Sequence, residues 1–224
     1  MTATAIRGAW ATLLTAGALS ACGGPPAVQT APSPEPSAAQ GEPAALSRAK
    51  ADSARYTAAD IHFMSGMIHH HAQAIVMANW APTHGASPAV LRLAERIINA
   101  QTDEIAIMQQ WLQDRRQPVP EARATGMKMT MGGMEHEMLM PGMLSDSQMQ
   151  QLDTARGAEF DRLFLLFMIQ HHKGAITMVQ ELLGSYGAGQ DQTVFKFASD
   201  VNVDQTTEIA RMEKMLVALL TSPD

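Results

Sequence analysis

An internal duplication limits the fold of this chain more than any other feature of its sequence. The segment Met67–Met77, MIHHHAQAIVM, returns as Met168–Met178, MIQHHKGAITM, at an offset of 101 residues. A second agreement, at an offset of 104 residues, covers four positions in each half: Gln101, Glu104, Ile105 and Met108, and Gln205, Glu208, Ile209 and Met212. Agreement at two sites in each half predicts two copies of one structural unit. Each copy is predicted to be a pair of helices.

The duplicated histidines share a helical face with apolar residues. At 100° per residue, the residues within about 60° of Met67 include Asp60, Phe63, His70, His71, Ala74 and Ala78. His62, His69 and Gln73 fall on the opposite side. In the partner helices, Glu104 and Glu208 lie in the middle of apolar stripes. Burying an unpaired carboxylate is costly, so each glutamate is predicted to meet a cation, a metal ion or an imidazolium.

Capping signals and apolar periodicity predict four long helices, at about 57–80, 88–114, 158–186 and 192–220. A Ser, Thr or Asp with a polar partner three residues later is a typical helix start. A short additional helix is predicted behind Ser145 and Gln148. Short turns within each half and one long connection between the halves are typical of ferritin-like bundles. The predicted fold class is therefore all-α, a ferritin-like four-helix bundle built from two duplicated helix pairs.

Composition supports a helical protein without a nucleic-acid partner. The chain has 224 residues, 16 basic and 22 acidic, with a net charge of −6. No basic patch is present to bind a phosphate backbone. β-Branched and aromatic residues are sparse, which favours helix over sheet. Cys22 is the single cysteine, so no intramolecular disulfide can form.

The N-terminal region is predicted to export the protein and tether it to a membrane. Residues 1–21 have the form of a signal peptide, and the run Leu19–Gly23 resembles a lipobox in which Cys22 is lipidated. Residues 22–45 are rich in Pro, Ala and Ser and are predicted to be a disordered tether; residues 46–224 are predicted to form the bundle. The predicted location is the periplasm or cell exterior, on a membrane. A plain secretory signal is the alternative, and it also predicts export.

A methionine-rich connection, at about 117–144, links the two halves. Seven methionines and one histidine fall within Met127–Met143: Met127, Met129, Met131, Met134, His136, Met138, Met140 and Met143. Thioether sulfur is a soft ligand that favours Cu(I), and it needs no deprotonation. The alternative interpretation is adaptable apolar filler. The spacing favours a soft-metal site.

A second candidate metal site lies in the predicted bundle core. Its candidate ligands recur by the duplication: His70, His71, Met67, Glu104 and Met108, and His171, His172, Met168, Glu208 and Met212. Asp60 and Asp161 are predicted to face the same core. Imidazole suits copper, zinc, iron and nickel, and bundle cores often hold metals. The glutamates are ligands or acceptors that orient the imidazoles; the alternative is a purely structural His–Glu hydrogen bond.

The sequence does not favour an enzyme. A ferritin-like di-iron oxidase uses Glu-x-x-His motifs, and the predicted long helices have none. No phosphate-binding loop and no His-Glu-x-x-His zinc motif is present. A metal oxidase acting on Cu(I) or Fe(II) is the alternative from the enzyme class.

Three segments resemble the domain of unknown function 305 (DUF305) family of bacteria: DxxFxxxMxxHHxxAIxMA from Asp60, MPGM at Met140–Met143, and FDRLFLLFMIQHHKGAITM from Phe160. The resemblance implies an exported, ferritin-like four-helix bundle, from a family with members linked to copper binding and copper tolerance. One departure is visible, since the first motif has a third histidine, His69, where the second has Gln170.

The predicted function is that of an extracytoplasmic protein that binds copper, as Cu(I), Cu(II) or both, and buffers it or hands it on. The predicted partners are copper ions, a membrane reached through the lipid anchor, and a copper-transfer protein. A helical interaction module with a structural polar core is the remaining alternative.

Overall fold

The computed structural model describes residues 56–131 and 134–221, which form four long helices, one short helix and a β-hairpin. The five helices are α1 Ala58–Trp80, α2 Pro88–Asp114, α3 Asp146–Thr154, α4 Gly157–Gly184 and α5 Gln192–Thr221. Helix α1 packs on α2, α4 packs on α5, and α1 packs on α4. The prediction of an all-α bundle built from two helix pairs is confirmed. The predicted signal peptide, lipidated cysteine and tether lie outside the described residues.

The helices begin where capping chemistry predicts. Thr57 and Asp60 form a reciprocal capping box at the start of α1, and Ser145 and Gln148 form another at α3. Ser87 accepts a hydrogen bond from the first turn of α2, which begins with a proline. These contacts satisfy backbone N–H groups that a helix start leaves unpaired.

Two buried aspartates reciprocally join the halves of the bundle. Asp60 of α1 accepts a hydrogen bond from Gly189 N, in the loop before α5, at 2.7 Å. Asp161 of α4 accepts one from Ser87 N, in the loop before α2, at 3.1 Å. Each helix therefore starts beside the loop that follows the other, so α1 and α4 run antiparallel. The expectation that Asp60 and Asp161 face the candidate metal site is wrong, because they hold loops at opposite ends of the bundle.

The methionine-rich connection contains an antiparallel β-hairpin that the sequence did not predict. Strands β1, Met127–Met131, and β2, Met134–Met138, pair in the register Met127 to Met138, Met129 to His136 and Met131 to Met134. Alternate residues of a strand share a face, and opposite residues share that face across the pair. Among the described side chains, Met127, Met134 and Met138 therefore lie on one face.

After the hairpin, the turn Met140–Met143 is buried between α1 and α4. A Cβ added to Gly174 would lie 2.0 Å from Pro141 O, so only glycine permits this approach. Gln73 donates to Leu144 O at 3.0 Å and accepts from Leu144 N at 2.7 Å. The assignment of Gln73 to the solvated side of α1 is wrong, because this turn covers that side and Gln73 is buried.

Within residues 56–131 and 134–221, no helix is long and apolar enough to cross a membrane.

Candidate metal centre

Two histidines from the duplicated motif meet at the centre of the bundle. The rings of His70 in α1 and His171 in α4 lie 3.8 Å apart between centroids, at an interplanar angle of 35°. The adjacent residues His71 and His172 follow one position later in each helix. All four are buried, with at most 1% of their surface exposed. The structure thus brings the four predicted histidines into the core, with one pair from each half of the duplication.

Hydrogen bonds orient three of these rings in the same way. Nε2 of His71 lies 2.6 Å from Glu104 Oε2, and Nε2 of His172 lies 2.8 Å from Glu208 Oε2. Nε2 of His70 lies 3.1 Å from Pro141 O. A carbonyl or ionised carboxylate oxygen only accepts, so each Nε2 carries the hydrogen that it donates. In a neutral imidazole the lone pair is then on Nδ1.

Five ring nitrogens remain without a hydrogen-bond partner among the described residues: Nδ1 of His70, His71 and His172, and both Nδ1 and Nε2 of His171. A buried polar atom without a partner costs about 1–3 kcal/mol, and such atoms are rare in native proteins. Four of the five carry a lone pair, because a neutral His171 has one lone pair and one N–H, and nitrogens with a lone pair are the atoms that coordinate copper. The donor set therefore fits a metal ion.

Burial keeps the two central rings neutral. It lowers the pKa of His70 well below its usual value, and the neighbouring His71 lowers it further. Burial likewise lowers the pKa of His171, with His70 and His172 adding to the effect. A histidine must be neutral to bind a metal, so this environment prepares both rings as ligands.

The two glutamates differ in their surroundings. Burial acts to raise the pKa of Glu208, but the hydrogen bond from His172 and the charge of Arg96 lower it overall. Arg96 Nε lies 3.4 Å from Glu208 Oε1. Each glutamate, about 18% exposed, holds the Nε2 edge of a histidine whose Nδ1 is unpaired. This geometry favours the orienting role for Glu104 and Glu208 over direct coordination.

Two buried glutamines lie one helical turn before the glutamates and were not among the predicted ligands. Gln101 is 2% exposed and Gln205 is 4% exposed. Both amide atoms of Gln101, and Oε1 of Gln205, have no hydrogen-bond partner within the described ranges. They precede Glu104 and Glu208 by three residues, so they lie one helical turn away on the same face. Their presence in the duplication was the signal that could have identified them.

The predicted methionine ligands of the core are buried, but in two places. Met67 and Met108 belong to one apolar cluster, and Met168 and Met212 belong to the other. The structure therefore does not gather the four thioethers into one cluster. In the part of the chain that the structure describes, no three His, Cys, Asp or Glu side chains already surround one point as metal ligands.

The methionines of the connection divide between the core and the surface. Met140 and Met143 are buried and Met127 is partly buried, all three in the cluster that holds Met67. Met134 and Met138 are 65% and 40% exposed. Met129, Met131 and His136 are placed by their register in the hairpin. The sequence prediction that these residues bind a metal stays a prediction.

The remaining histidines have separate surroundings. His62 is exposed, as predicted. His69 is only half-buried, and its Nδ1 donates to Arg123 O at 3.2 Å. This contact corrects the assignment of His69 to a fully solvated face. His84 lies in the predicted turn, where its Nε2 is 2.8 Å from Asp153 O.

The bundle is similar to several proteins whose structures have been solved. A DUF305 protein of Streptomyces coelicolor, described as a candidate secreted protein, aligns with a TM-score of 0.61 and 26% identity over 74% of this chain and 96% of its own. A DUF305 fragment from Deinococcus radiodurans aligns with a TM-score of 0.59 and 28% identity, over 73% and 98%. CopM in its Cu(II)-bound form aligns with a TM-score of 0.55 and 30% identity, over 71% and 96%.

CopM has also been solved in a Cu(I)-bound form, which aligns with a TM-score of 0.52 and 29% identity over 70% of this chain and 94% of its own. Comparison with functionally curated proteins finds no significant match. The family model described as "Domain of unknown function (DUF305)" matches residues 60–216, which include the duplicated motifs and the Met140–Met143 turn. The chain therefore belongs to the DUF305 family.

Proposed function

We propose that this protein binds copper outside the cytoplasm and buffers it or transfers it to a partner. The observation that carries the proposal is the set of five unpaired, buried imidazole nitrogens around His70 and His171. Copper coordination would engage the lone pairs among these atoms and remove the cost of leaving them without a partner. The structural likeness to copper-bound CopM supports the choice of copper over other metals that imidazole binds.

Two regions offer different ligand chemistry for this function. Imidazole nitrogens in the core suit Cu(II) as well as Cu(I), whereas thioethers in the connection favour Cu(I). The hairpin register places Met127, Met134 and Met138 on one face. Such a division lets one protein hold both oxidation states.

The proposal is of a binding protein and not of an enzyme. In the described residues, Glu104 and Glu208 are each engaged by a histidine, so neither matches a carboxylate that bridges two irons in an oxidase. A ferritin-like oxidase of Cu(I) or Fe(II) remains the competing function. The metal content of protein purified from its own envelope fraction distinguishes the candidates: copper supports our proposal, iron supports the oxidase, and no metal supports a structural module.

Copper is expected to raise the melting temperature of the protein. A ligand that binds only the native state stabilises it by about 2.7 kcal/mol at a hundredfold excess over its dissociation constant. Because burial lowers the pKa of His70 and His171, the folded protein keeps these imidazoles neutral below about pH 6.5, and the Cu(II)-induced shift should shrink only as the pH falls through the lowered values. Thermal unfolding followed by circular dichroism with and without Cu(II), for the wild type and for the His70→Gln, His171→Gln variant, measures the shift. An equal shift in the two proteins would exclude His70 and His171 as the stabilising ligands.

The location that we propose is a membrane surface outside the cytoplasm, reached through lipidation of Cys22. Replacement of Cys22 by Ala is expected to abolish acylation and release the protein from the membrane fraction. Mass spectrometry of the mature N-terminus tests this prediction. A wild-type N-terminus that carries no lipid would contradict the anchor and leave the copper proposal intact.

A further inference from the structure

A second cleft with metal-binding character lies outside the histidine centre. It opens between α1, α4 and the segment that follows β2, with a volume of about 370 Å3. The residues with metal-binding side chains in its lining are His62 from α1, Met138 and Met140 from the connection, and Met178 and Glu181 from α4. Neither His62 nor Met178 belongs to the sets of ligands described above.

The three methionines that line this cleft differ in their exposure to solvent. Met138 is 40% exposed, whereas Met140 and Met178 are each only 4% exposed. Met140 and Met178 both reach over Gly66: a Cβ built there would lie 2.8 Å from Met140 Sδ and 3.5 Å from Met178 Cε. The two buried side chains therefore close over the same point of α1.

We propose that this cleft binds one Cu(I) ion through the thioethers of Met138, Met140 and Met178, with His62 as a ligand at the mouth. This inference rests on the proposed copper function and deepens it, because it assigns a defined soft-metal site and adds two ligands from the helices. Thioethers are neutral, so three of them can lie beside apolar residues without the cost of burying charge. The soft Cu(I) ion favours this donor set over harder cations.

The cleft adjoins the histidine centre at one residue of its lining. Its lining includes Pro141, whose carbonyl oxygen accepts the hydrogen bond from His70 Nε2. The turn Met140–Met143 is thus shared by the cleft and the histidine centre. Glu181 at the lining places a carboxylate near an arriving cation.

Replacement of Met178 by Leu tests the site with little change in volume. Cu(I) binding is measured without oxygen against a competing chelator, and Ag(I) serves as a probe that does not change oxidation state. Met178→Leu is expected to weaken one equivalent of Cu(I) at least tenfold. Met77→Leu is the matched control, since Met77 is also a fully buried methionine at the end of a duplicated motif, and it should bind as the wild type does.

Gly66→Ala gives a second test that removes no ligand. The added Cβ would occupy the space of Met140 Sδ, so this thioether must move and the same equivalent of Cu(I) should bind more weakly. His62→Gln lies on the surface and should weaken the site less than Met178→Leu does. Thermal unfolding of the metal-free variants checks that each one folds.

A measurement on the wild type completes the test without any substitution. The methyl carbon signal of Met178 is expected to shift when Ag(I) is added, and that of Met77 is expected to remain in place. If the protein binds Cu(I) and Ag(I) but the Met178 signal stays unchanged, the cleft is not a site, and the copper function stands. If the protein binds neither Cu(I) nor Ag(I), the cleft proposal fails together with the Cu(I) part of the proposed function.

Discussion

Lowering the pH from 7 to 5 is expected to reduce the free energy of unfolding of the metal-free protein steeply. In the unfolded chain, histidines take up protons near pH 6.5. In the folded protein, burial holds the pKa of His70 and His171 well below that value. Below about pH 6.5 the unfolded state therefore binds more protons, and each histidine lowers stability by about 1.4 kcal/mol per pH unit until its folded pKa is reached.

Urea denaturation at several pH values between 5 and 8 measures this slope. The stability from these two groups is fully present above the unfolded pKa, so their contribution should be flat from pH 7 to pH 8. The double variant His70→Gln, His171→Gln should show a clearly smaller slope, because glutamine does not titrate. His62→Gln is the control, since His62 is exposed and should leave the slope unchanged. An equal slope in the double variant and the wild type would show that the central rings do not cause the acid sensitivity.

Local chemistry made the helices predictable from sequence. Thr57, Ser87 and Ser145 each cap the helix that the sequence assigned to them, because a capping hydrogen bond depends on residues only three positions apart. The duplication predicted which residues correspond, and the apolar period predicted that His70 and His171 face inward. These properties need no knowledge of the distant parts of the chain.

Tertiary contacts account for what the sequence did not predict. Gln73 would lie on the outer side of an isolated α1, but the Met140–Met143 turn covers it. The side-chain amide of Gln73 exchanges two hydrogen bonds with the backbone of Leu144, the next residue after this turn. The β-hairpin, too, was absent from the prediction, since glycines and alternating methionines also suit an irregular loop. Asp60 is buried, as the period predicted, but its partner Gly189 lies 129 positions away and could not be inferred from the period.

The Met140–Met143 turn connects the hairpin to the histidine centre. It follows the hairpin directly, its Pro141 carbonyl accepts from His70, and Gly174 lets it approach α4 closely. Among the described residues, no second turn of this kind contacts His171. His70 therefore has a partner for Nε2, whereas His171 has none in the same part of the chain. The asymmetry leaves the tautomer of His171 unfixed, so its one lone pair can be on either ring nitrogen.

Altering the histidine centre and the methionine-rich connection independently is expected to show that they prefer different oxidation states of copper. Replacing the seven methionines of Met127–Met143 by Leu keeps the apolar volume nearly constant and removes every thioether of the connection. We expect this variant to lose most of its Cu(I) capacity against a competing chelator, while Cu(II) binding and helical content remain. Replacing Met64 and Met77, two buried helical methionines, by Leu is the control for changes in packing.

The reciprocal variant replaces His70, His71, His171 and His172 by Gln. Glutamine keeps an N–H donor for Pro141 O, Glu104 and Glu208, so the hydrogen bonds of the core can persist without an imidazole lone pair. Cu(II) affinity should fall by orders of magnitude, since imidazole is the main nitrogen donor in the core, whereas Cu(I) capacity should fall less. If the methionine variant keeps its full Cu(I) capacity, those thioethers are packing residues. If the histidine variant keeps its Cu(II) affinity, the unpaired nitrogens of the core have a structural origin, and copper binds elsewhere.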